Sequence, residues 1–400
     1  MSAANRTRTL TTAAALAAAA ALVLGGCSSS GGKGMPMLPL PSSATPSATG
    51  SAAPGSAGPS AVPSAAPAVG TAKVTGTVAN RLAQPWGLAQ LPDGSLLVAS
   101  RDSGRISRID AAKGAVTLVG TVPGVFHTQG GEQGLLGIAL SPDYGSDHLV
   151  YAYFTTESDN RVARLLYDPS RPRGEQLGAP DTILRGIPMG TIHNGGRIAF
   201  GPDGMLYAGT GETGQRGLAQ QMSSLAGKIL RMTPDGQPPK DNPTAGSLVY
   251  SPGHRNVQGL TWDAQGHLWA SEFGQDTWDE LNLIEPGANY GWPVVEGVAH
   301  RAGYVDPVVQ WHTGQASPSG IAYAAGSLWM ASLRGERLWR IPLDGTKAAA
   351  PPQAFFASAY GRLRTVVAVD EHTLLVATSN TDGRGAPSGA DDRLLRVAVT

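Results

Sequence analysis

A histidine beside bare backbone is the first feature of this sequence that could do chemistry. His193 is followed by Asn194, Gly195 and Gly196, and the two glycines allow the main chain to approach a bound molecule closely. A neutral imidazole can act as a general base near neutral pH. A histidine in such a turn can equally be a hydrogen-bonded structural residue, so its neighbours must decide its role.

Arginines form the second set of candidate functional residues. Arg362 and Arg364 are two positions apart, so in a strand their side chains lie on one face. Like charges repel, and a shared anion is the most direct reason for placing them together. Arg255 and Asn256 add a further polar pair, although both could simply cap loops. Because no acidic cluster matches these arginines, they predict an anionic ligand with carboxylates or phosphates.

A repeated hairpin must position these residues. Residues 197–208 have the pattern of a strand, a Pro-Asp-Gly turn and a second strand, as in an antiparallel pair. Most copies are followed by a third strand, such as residues 337–341. Six segments follow this template, and they begin at Leu88, Ile138, Ile198, Leu260, Ile321 and Val366.

The spacing of these repeats predicts the fold. Successive segments start 50, 60, 62, 61 and 45 residues apart, which is too long for a solenoid rung and typical of a four-stranded propeller blade. A pair of β-sandwiches would not repeat one hairpin six times. We therefore predict an all-β fold, a six-bladed β-propeller with four-stranded antiparallel blades. The sequence leaves open how the strand near Val74–Val78 closes the ring.

Composition limits the kind of partner. The 400-residue chain has a formal net charge of +0 and only 15% charged residues, which argues against nucleic acid as the main partner. Its 53 glycines and 30 prolines are typical of many short strands and turns rather than helices.

The first 27 residues have the pattern of an export signal. Arg6 and Arg8 precede an apolar run over Leu10–Leu24, and a run of about 15 residues is short for a membrane span. It ends at Cys27, the single cysteine, in a pattern that resembles the lipobox of bacterial lipoproteins. We predict an exported protein, lipid-anchored through Cys27 on the outer face of the cell membrane. The alternative is an ordinary secretory signal.

The domain organisation follows from this pattern. Residues 1–27 are predicted to be a lipoprotein signal peptide. Residues 28–75 are rich in Ser, Gly, Ala and Pro and predict a disordered tether, because they cannot bury enough apolar surface to fold. Residues 76–400 are predicted to form the propeller.

A series of motifs resembles one enzyme family. In order they are WGLAQLPDGSLLVASR, GEQGLLGIALSPDY, HNGGRIAFGPDG, GHRNVQGL, SEFGQDTWDELNLI with GANYGWP, PSGIAY and GRLRTVVA. From about Asn80 onward the chain is similar to the pyrroloquinoline quinone (PQQ)-dependent soluble aldose sugar (glucose) dehydrogenases. The most specific part is GHRN-x-QG followed by NYGWP. The resemblance implies a six-bladed propeller that carries PQQ and Ca²⁺.

The resemblance also implies roles for individual residues. His193 matches the family's general base, and Arg255 matches a residue beside the reactive carbonyl of the quinone. The residues that match cofactor-binding positions are Arg255, Asn256, Gln258, Thr213, Arg334, Arg362 and Arg364. The matches to calcium ligands are Gly274 and Gln275, with Glu280 for a second, structural calcium. The matches on the substrate side are Glu132 and Trp311.

The implied reaction is oxidation of the anomeric C1 of an aldose to a lactone. The imidazole takes the hydroxyl proton while hydride passes from C1 to the quinone, and calcium and Arg255 stabilise the charge that grows on the quinone oxygen. Four positions depart from the family pattern, so glucose itself is in doubt as the substrate. They are Ile192, Glu132, Thr213 and Arg334.

Two other functions fit part of the pattern. A non-catalytic propeller could bind a ligand after its quinone site had decayed, but it would not need His193 together with Arg255, Arg362 and Arg364. A calcium-dependent lactonase on a similar propeller would need several Glu, Asn and Asp side chains along the channel. The predicted channel mouth is richer in arginine than in carboxylates. The sequence therefore favours the dehydrogenase.

Overall fold

The structure, a computed structural model, describes residues 65–400. The predicted signal peptide, Cys27 and most of the predicted tether lie outside these residues. Within 65–400, no helix is long and apolar enough to cross a membrane.

Antiparallel sheet accounts for nearly all the regular structure. Strand β1 (Ala72–Ala79) comes first and belongs to the last blade. The first blade contains β2 (Pro85–Gln90), β3 (Leu96–Ser100), β4 (Arg105–Ile109) and β5 (Val116–Thr121). The second contains β6 (Leu135–Leu140), β7 (Leu149–Thr155), β8 (Asn160–Leu166) and β9 (Asp181–Ile187). The third contains β10 (Ile198–Phe200), β11 (Leu206–Gly209), β12 (Lys228–Met232) and β13 (Val249–Pro252).

The remaining blades repeat this order. The fourth contains β14 (Val257–Trp262), β15 (Leu268–Glu272), β16 (Trp278–Ile284) and β17 (Val309–His312). The fifth contains β18 (Pro318–Ala324), β19 (Ser327–Ser332) and β20 (Arg337–Asp344), with the short β21 (Lys347–Ala348) and β22 (Gln353–Phe355) both paired to β20. The sixth contains β23 (Leu363–Asp370), β24 (Thr373–Thr378), β25 (Leu394–Val399) and β1. Helix α1 (Tyr144–Asp147) and a 3₁₀ helix (Arg216–Gln220) are single turns.

The first strands of the six blades form a closed inner ring. Strands β2, β6, β10, β14, β18 and β23 each contact the next, and β23 returns to β2. The predicted six-bladed β-propeller is therefore confirmed, with the predicted hairpin at the inner edge of every blade.

Glycines let these inner strands approach one another. A Cβ added at Gly87 would lie 2.6 Å from the carbonyl oxygen of Leu136 on the next blade, and one added at Gly137 would lie 2.2 Å from that of Gly196. Real Cβ atoms do not come so close to backbone oxygen. The strand spacing at the axis therefore requires glycine at these positions.

The N-terminal strand closes the ring by pairing with the last strand. Strand β1 runs antiparallel to β25, with Val74 opposite Val397, and so forms the outer edge of the sixth blade. Residues before β1 are also held: the N–H of Ala66 donates to the carbonyl of Leu343, and Arg340 Nη2 donates to the carbonyl of Pro67, 2.9 Å away. Ordered structure therefore begins earlier than the predicted boundary at residue 76, because these polar contacts and β1 fix the chain.

Candidate active site

A cavity of about 390 Å³ opens at one end of the ring. In each blade the first residue of the inner strand pairs with the end of the second strand, as Pro85 does with Ser100 and Pro318 with Ser332. The loops before inner strands and the loops after second strands therefore meet at the same end. Both groups of loops supply the walls of the cavity. Its charged lining is Arg101, Arg255, Arg334, Arg362, Arg364, Arg384, Glu132 and Asp279.

His193 lines this cavity and is held from two sides. Its backbone N–H donates to Glu132 Oε2, 2.8 Å away, and its Nδ1 forms a close hydrogen-bonded pair with Glu212 Oε1. The Glu212 side chain is only 1% exposed. Because Nδ1–H donates its hydrogen bond to the carboxylate, Nε2 is the ring nitrogen left to accept a proton.

The loop of His193 is fixed by residues behind the cavity. Asn256 Oδ1 accepts the N–H of Gly195 at 2.9 Å, and the N–H of Thr213 donates to the carbonyl of His193 at 3.1 Å. Asn256 is fully buried and Thr213 nearly so, and neither lines the cavity. The structure therefore places these two predicted cofactor ligands as supports of the histidine loop, not on the cavity wall.

Arg255 lines the cavity with part of its hydrogen-bonding capacity unused. Its N–H donates to Glu272 Oε2 at 2.8 Å, and its Nη1 donates to the carbonyl of Phe273 at 3.3 Å. Its Nε is buried without a partner among the described residues. The guanidinium lies over the Trp292 ring, 5.5 Å from its centroid. Burial lowers its pKa, against the influence of nearby carboxylates such as Glu212.

Arg362 and Arg364 share an internal anion. Both donate to Asp382 Oδ2, from Arg362 Nη2 at 3.0 Å and from Arg364 Nη2 at 3.1 Å. Burial raises the pKa of Asp382, but the two arginines outweigh it and the net pKa is lowered. Burial lowers the pKa of Arg364 to about 10, although Asp382 opposes it. The sequence predicted no acidic cluster to match these arginines, but it did not reveal that one acidic residue, Asp382 from the loop after β24, partly balances them.

Glu132 is fixed at the cavity mouth by an ion pair. Arg384 Nη1 donates to Glu132 Oε1 at 2.7 Å, while Oε2 accepts the N–H of His193. Burial raises the pKa of Glu132, but Arg384 and the N–H of His193 outweigh it and leave the pKa lowered. The carboxylate is therefore ionised at neutral pH, directly beside the histidine.

The predicted calcium residues separate into two groups. Gly274 and Gln275 lie on the cavity wall beside Asp279, whose pKa burial raises to about 6. Glu280 lies behind the wall, where its Oε1 accepts the N–H of Gly297 at 2.7 Å. Burial, together with the charge of Glu272, raises the pKa of Glu280 to about 8. Within 65–400, no three His, Cys, Asp or Glu side chains are grouped as metal ligands.

Of the remaining predicted residues, Arg334 and Gln258 line the cavity and Trp311 does not. Arg334 reaches the cavity from the loop after β19 and is exposed. Gln258 lines it, with Oε1 accepting from Ser319 at 2.9 Å. Trp311 does not reach the cavity: it is 5% exposed and packs in the core with its ring 5.7 Å from that of Trp339. Its position on β17, the outermost strand of its blade, turns it away from the axis.

Sequence reasoning missed several residues that surround the cavity. The repeat pattern pointed only to loops that precede inner strands, although loops that follow second strands reach the same end. Residues in those second loops were predicted only through the family resemblance, and they are Thr213, Gly274, Gln275 and Arg334. The residues not predicted are Arg101, Glu212, Asp382 and Arg384, all from loops that follow second strands, and Trp86 from the inner strand β2. The antiparallel order of the predicted blades was the signal that could have found most of them.

Known proteins are similar to this chain in sequence and in fold. The quinoprotein glucose dehydrogenase B of Acinetobacter calcoaceticus is 32% identical over 259 residues, which cover 57% of this chain and 54% of that protein. An aldose sugar dehydrogenase of Escherichia coli is 32% identical over 239 residues, which cover 57% of this chain and 64% of that protein. The matches thus span less than two thirds of either relative.

A solved structure and a family model extend the likeness over the propeller. The PQQ-bound form of an aldose sugar dehydrogenase from Streptomyces coelicolor is 66% identical, with a TM-score of 0.83, and is matched over 84% of this chain and 100% of that chain. The family model for glucose/sorbosone dehydrogenases matches residues 82–396. The chain therefore belongs to the glucose/sorbosone dehydrogenase family.

Proposed function

We propose that this protein is a PQQ-dependent aldose sugar dehydrogenase that oxidises the anomeric C1 of an aldose to the lactone. The observation that carries the proposal is the carboxylate-paired imidazole of His193, which shares one cavity with six arginine side chains. The 66% identity to a sugar dehydrogenase solved with PQQ bound supports the choice of cofactor.

The cavity residues fit a planar anionic cofactor. Six arginines face only two carboxylates on its lining, and PQQ carries several carboxylates that such a surplus of positive charge would bind. The buried Nε of Arg255, which lines the cavity, lacks a partner within 65–400, and buried donors are normally satisfied. Trp86 and Phe273 add aromatic walls.

Each residue of the wall then has a defined task. Arg334, Arg362 and Arg364 would hold the carboxylates of the cofactor, and Gln258 and Arg255 would donate hydrogen bonds to it. Bound PQQ supplies the two-electron acceptor for hydride. Arg255 would offer its positive charge to the bound cofactor, because a buried cation acts strongly where water is excluded.

His193 moves the proton in this reaction. The aldose loses a hydroxyl proton and a C1 hydride and becomes the lactone. Nε2 of His193 accepts the proton, and Glu212 stabilises the resulting imidazolium through Nδ1. Glu132, ionised and fixed by Arg384, has lone pairs left to accept sugar hydroxyls.

Calcium enters the proposal through backbone oxygens. Gly274 and Gln275 stand at the cavity wall, and Ca²⁺ prefers oxygen ligands, carbonyls included. A second calcium at Glu280 stays a prediction, because both of its oxygens already accept hydrogen bonds, from Gly297 and Asn282. Anchoring through an acylated Cys27, with residues 28–64 as a tether, completes the proposal.

The central channel disfavours a lactonase. In the described part of the chain its lining is mostly apolar, with Thr261 and Tyr323 among it, and Arg197 is the one charged residue that faces it. A metal site for lactone hydrolysis would need acidic side chains there instead.

Reconstitution tests the proposed function. Purified protein is mixed with PQQ and CaCl₂, and a panel of aldoses is added while the absorbance of the quinone is followed. We expect binding of the quinone and its reduction by at least one aldose, with loss of both in excess chelator. Binding without reduction by any sugar would favour the non-catalytic alternative, and absence of binding would overturn the proposal.

A further inference from the structure

A buried arginine and a tryptophan separate the cavity from the central channel. Trp86 is 2% exposed and lines the cavity, whereas Arg197 lines the channel on its other side. The guanidinium carbon of Arg197 lies over the Trp86 ring, 4.3 Å from its centroid. This distance is typical of a cation–π contact, which is strongest where water is excluded.

Among residues 65–400, only neutral groups accept hydrogen bonds from the Arg197 guanidinium. Its Nε donates to the carbonyl of Gln258 at 2.8 Å, and its Nη2 donates to Thr365 Oγ1 at 3.3 Å. The same Thr365 hydroxyl donates to the carbonyl of Trp86 at 2.5 Å. One hydroxyl therefore ties the arginine to the backbone of the tryptophan that it covers.

The charge of Arg197 has no partner inside the described protein. No carboxylate in residues 65–400 forms a salt bridge with it, and the nearest charged influence is the like charge of Arg364. Burial, reinforced by Arg364, lowers the pKa of Arg197 to about 9, so it is still protonated at neutral pH. Buried charges are normally paired, and the Trp86 ring stands between this one and the arginine-rich cavity.

We propose that Arg197 is a positioning residue for the anionic cofactor, which keeps the Trp86 indole in place as the cavity floor and supplies a positive charge whose partner is the bound anion. This inference rests on the proposed function. It extends the cofactor site beyond the residues that line the cavity, to one that acts from the channel side.

Quinone affinity is the measurement that tests this role. Apo protein with CaCl₂ is titrated with PQQ by calorimetry for the wild type, Arg197→Gln and Arg197→Lys. A unit charge within about 10 Å of an anion, at an effective dielectric constant near 20, changes affinity by about tenfold. We expect Arg197→Gln to raise the Kd for PQQ at least about tenfold, and Arg197→Lys to recover most of the lost affinity.

Arg340→Gln is the matched control. Arg340 is fully buried and also bound by neutral acceptors, Gln353 Oε1 and the carbonyl of Pro67, but it fastens the segment before β1 to blade five. This variant should lower the melting temperature of the apo protein and leave the Kd unchanged. Equal losses of affinity in Arg197→Gln and Arg340→Gln would show a general loss of stability and overturn the proposal.

Two further outcomes keep the inference separate from the proposed function. If Arg197→Gln does not fold, Thr365→Val removes the hydroxyl shared by Arg197 and Trp86, and it should weaken PQQ binding in the same direction. An unchanged Kd in a folded Arg197→Gln, with a wild type that binds PQQ and is reduced by sugar, would overturn only the role of Arg197. A wild type that does not bind PQQ would overturn the proposed function itself.

Discussion

The two nitrogens of His193 face different surroundings, and this sets what the residue can do. Nδ1 pairs with the buried Glu212, and Nε2 is left for a substrate. The backbone of the same residue is held in a left-handed conformation, with φ of 55°, by contacts to Glu132 and Thr213. The ring is thus fixed in both orientation and tautomer before any ligand arrives.

Removing the imidazole should reduce turnover without releasing the cofactor. General-base catalysis contributes about 10²–10⁴-fold, so we expect His193→Ala to lower kcat by about that factor. The Kd for PQQ should stay within about twofold, because arginines hold the cofactor. His267→Ala is the control, since His267 pairs with Asp263 in a hairpin turn. A parallel loss of kcat and quinone affinity in His193→Ala would make the histidine a cofactor or packing residue.

Asp382 gives the stability of the protein a pH dependence. Its pKa in the folded state lies below the ordinary value of 3.8, so its contribution is present above that value and is lost as pH falls through the folded pKa. We expect Asp382→Asn to lower the free energy of unfolding by about 3 kcal/mol at pH 7, and the difference from wild type to shrink below about pH 4.

Chemical denaturation at a series of pH values measures this difference. The control is Asp235→Asn, because Asp235 pairs with Arg164 but is 70% exposed, and surface pairs contribute little. A difference between wild type and Asp382→Asn that did not change with pH would contradict the ion-pair explanation.

Sequence reasoning found the histidine and the arginines but not the carboxylates that pair with them. Arg362 and Arg364 were recognisable from their spacing and from the family motif. Asp382 lies 18 residues after Arg364, in a loop without a repeat pattern, and the folded hairpin of β23 and β24 brings it to the arginines. Trp311 shows the opposite error, because a motif-like position in sequence turned out to lie on an outer strand.

At the scale of the elements, the inner strands were predictable because each repeats one hairpin. The repeat alone did not reveal why these strands contain glycine. Neighbouring blades approach so closely there that a Cβ atom would not fit. At Gly137 the carbonyl of Gly196 stands where a Cβ would be. The number of blades followed from spacing, whereas the closure of the ring by β1 depended on pairing between the two ends of the chain, which no local pattern encodes.

A methyl group at the inner ring should therefore destabilise the whole propeller. Gly137→Ala would place Cβ 2.2 Å from a backbone oxygen, and the strands must separate to accept it, at a cost of about 1–3 kcal/mol. Gly76→Ala is the matched control on β1, because nothing lies within 4 Å of its Cβ position. Thermal unfolding by calorimetry should show a lower Tm for the first variant alone. Equal values for both would mean that the inner ring is not tightly packed.

At the scale of the whole molecule, the proposed function includes a membrane anchor before the propeller. Cys27→Ala removes the only thiol available for acylation, and stable anchoring requires two acyl chains or an equivalent second signal. We expect this variant to leave the membrane fraction, either secreted or as an unprocessed precursor. Fractionation and immunoblotting of cells measure the distribution, with Cys27→Ala in the membrane fraction at the wild-type level contradicting the lipoprotein proposal.

The pairing of β1 with β25 also determines how early in synthesis the propeller can close. The hydroxyl of Thr75 donates to the carbonyl of Arg396 across 321 residues of sequence. During synthesis, the first strand of residues 65–400 must therefore wait for the last before it can pair. At synthesis rates of about 5–20 residues per second, that wait lasts roughly 15 to 60 s. Throughout it, β1 presents an unpaired edge, the kind of surface that aggregates. A chain truncated before β25 therefore cannot close the ring of six blades, because β1 has no strand to pair with.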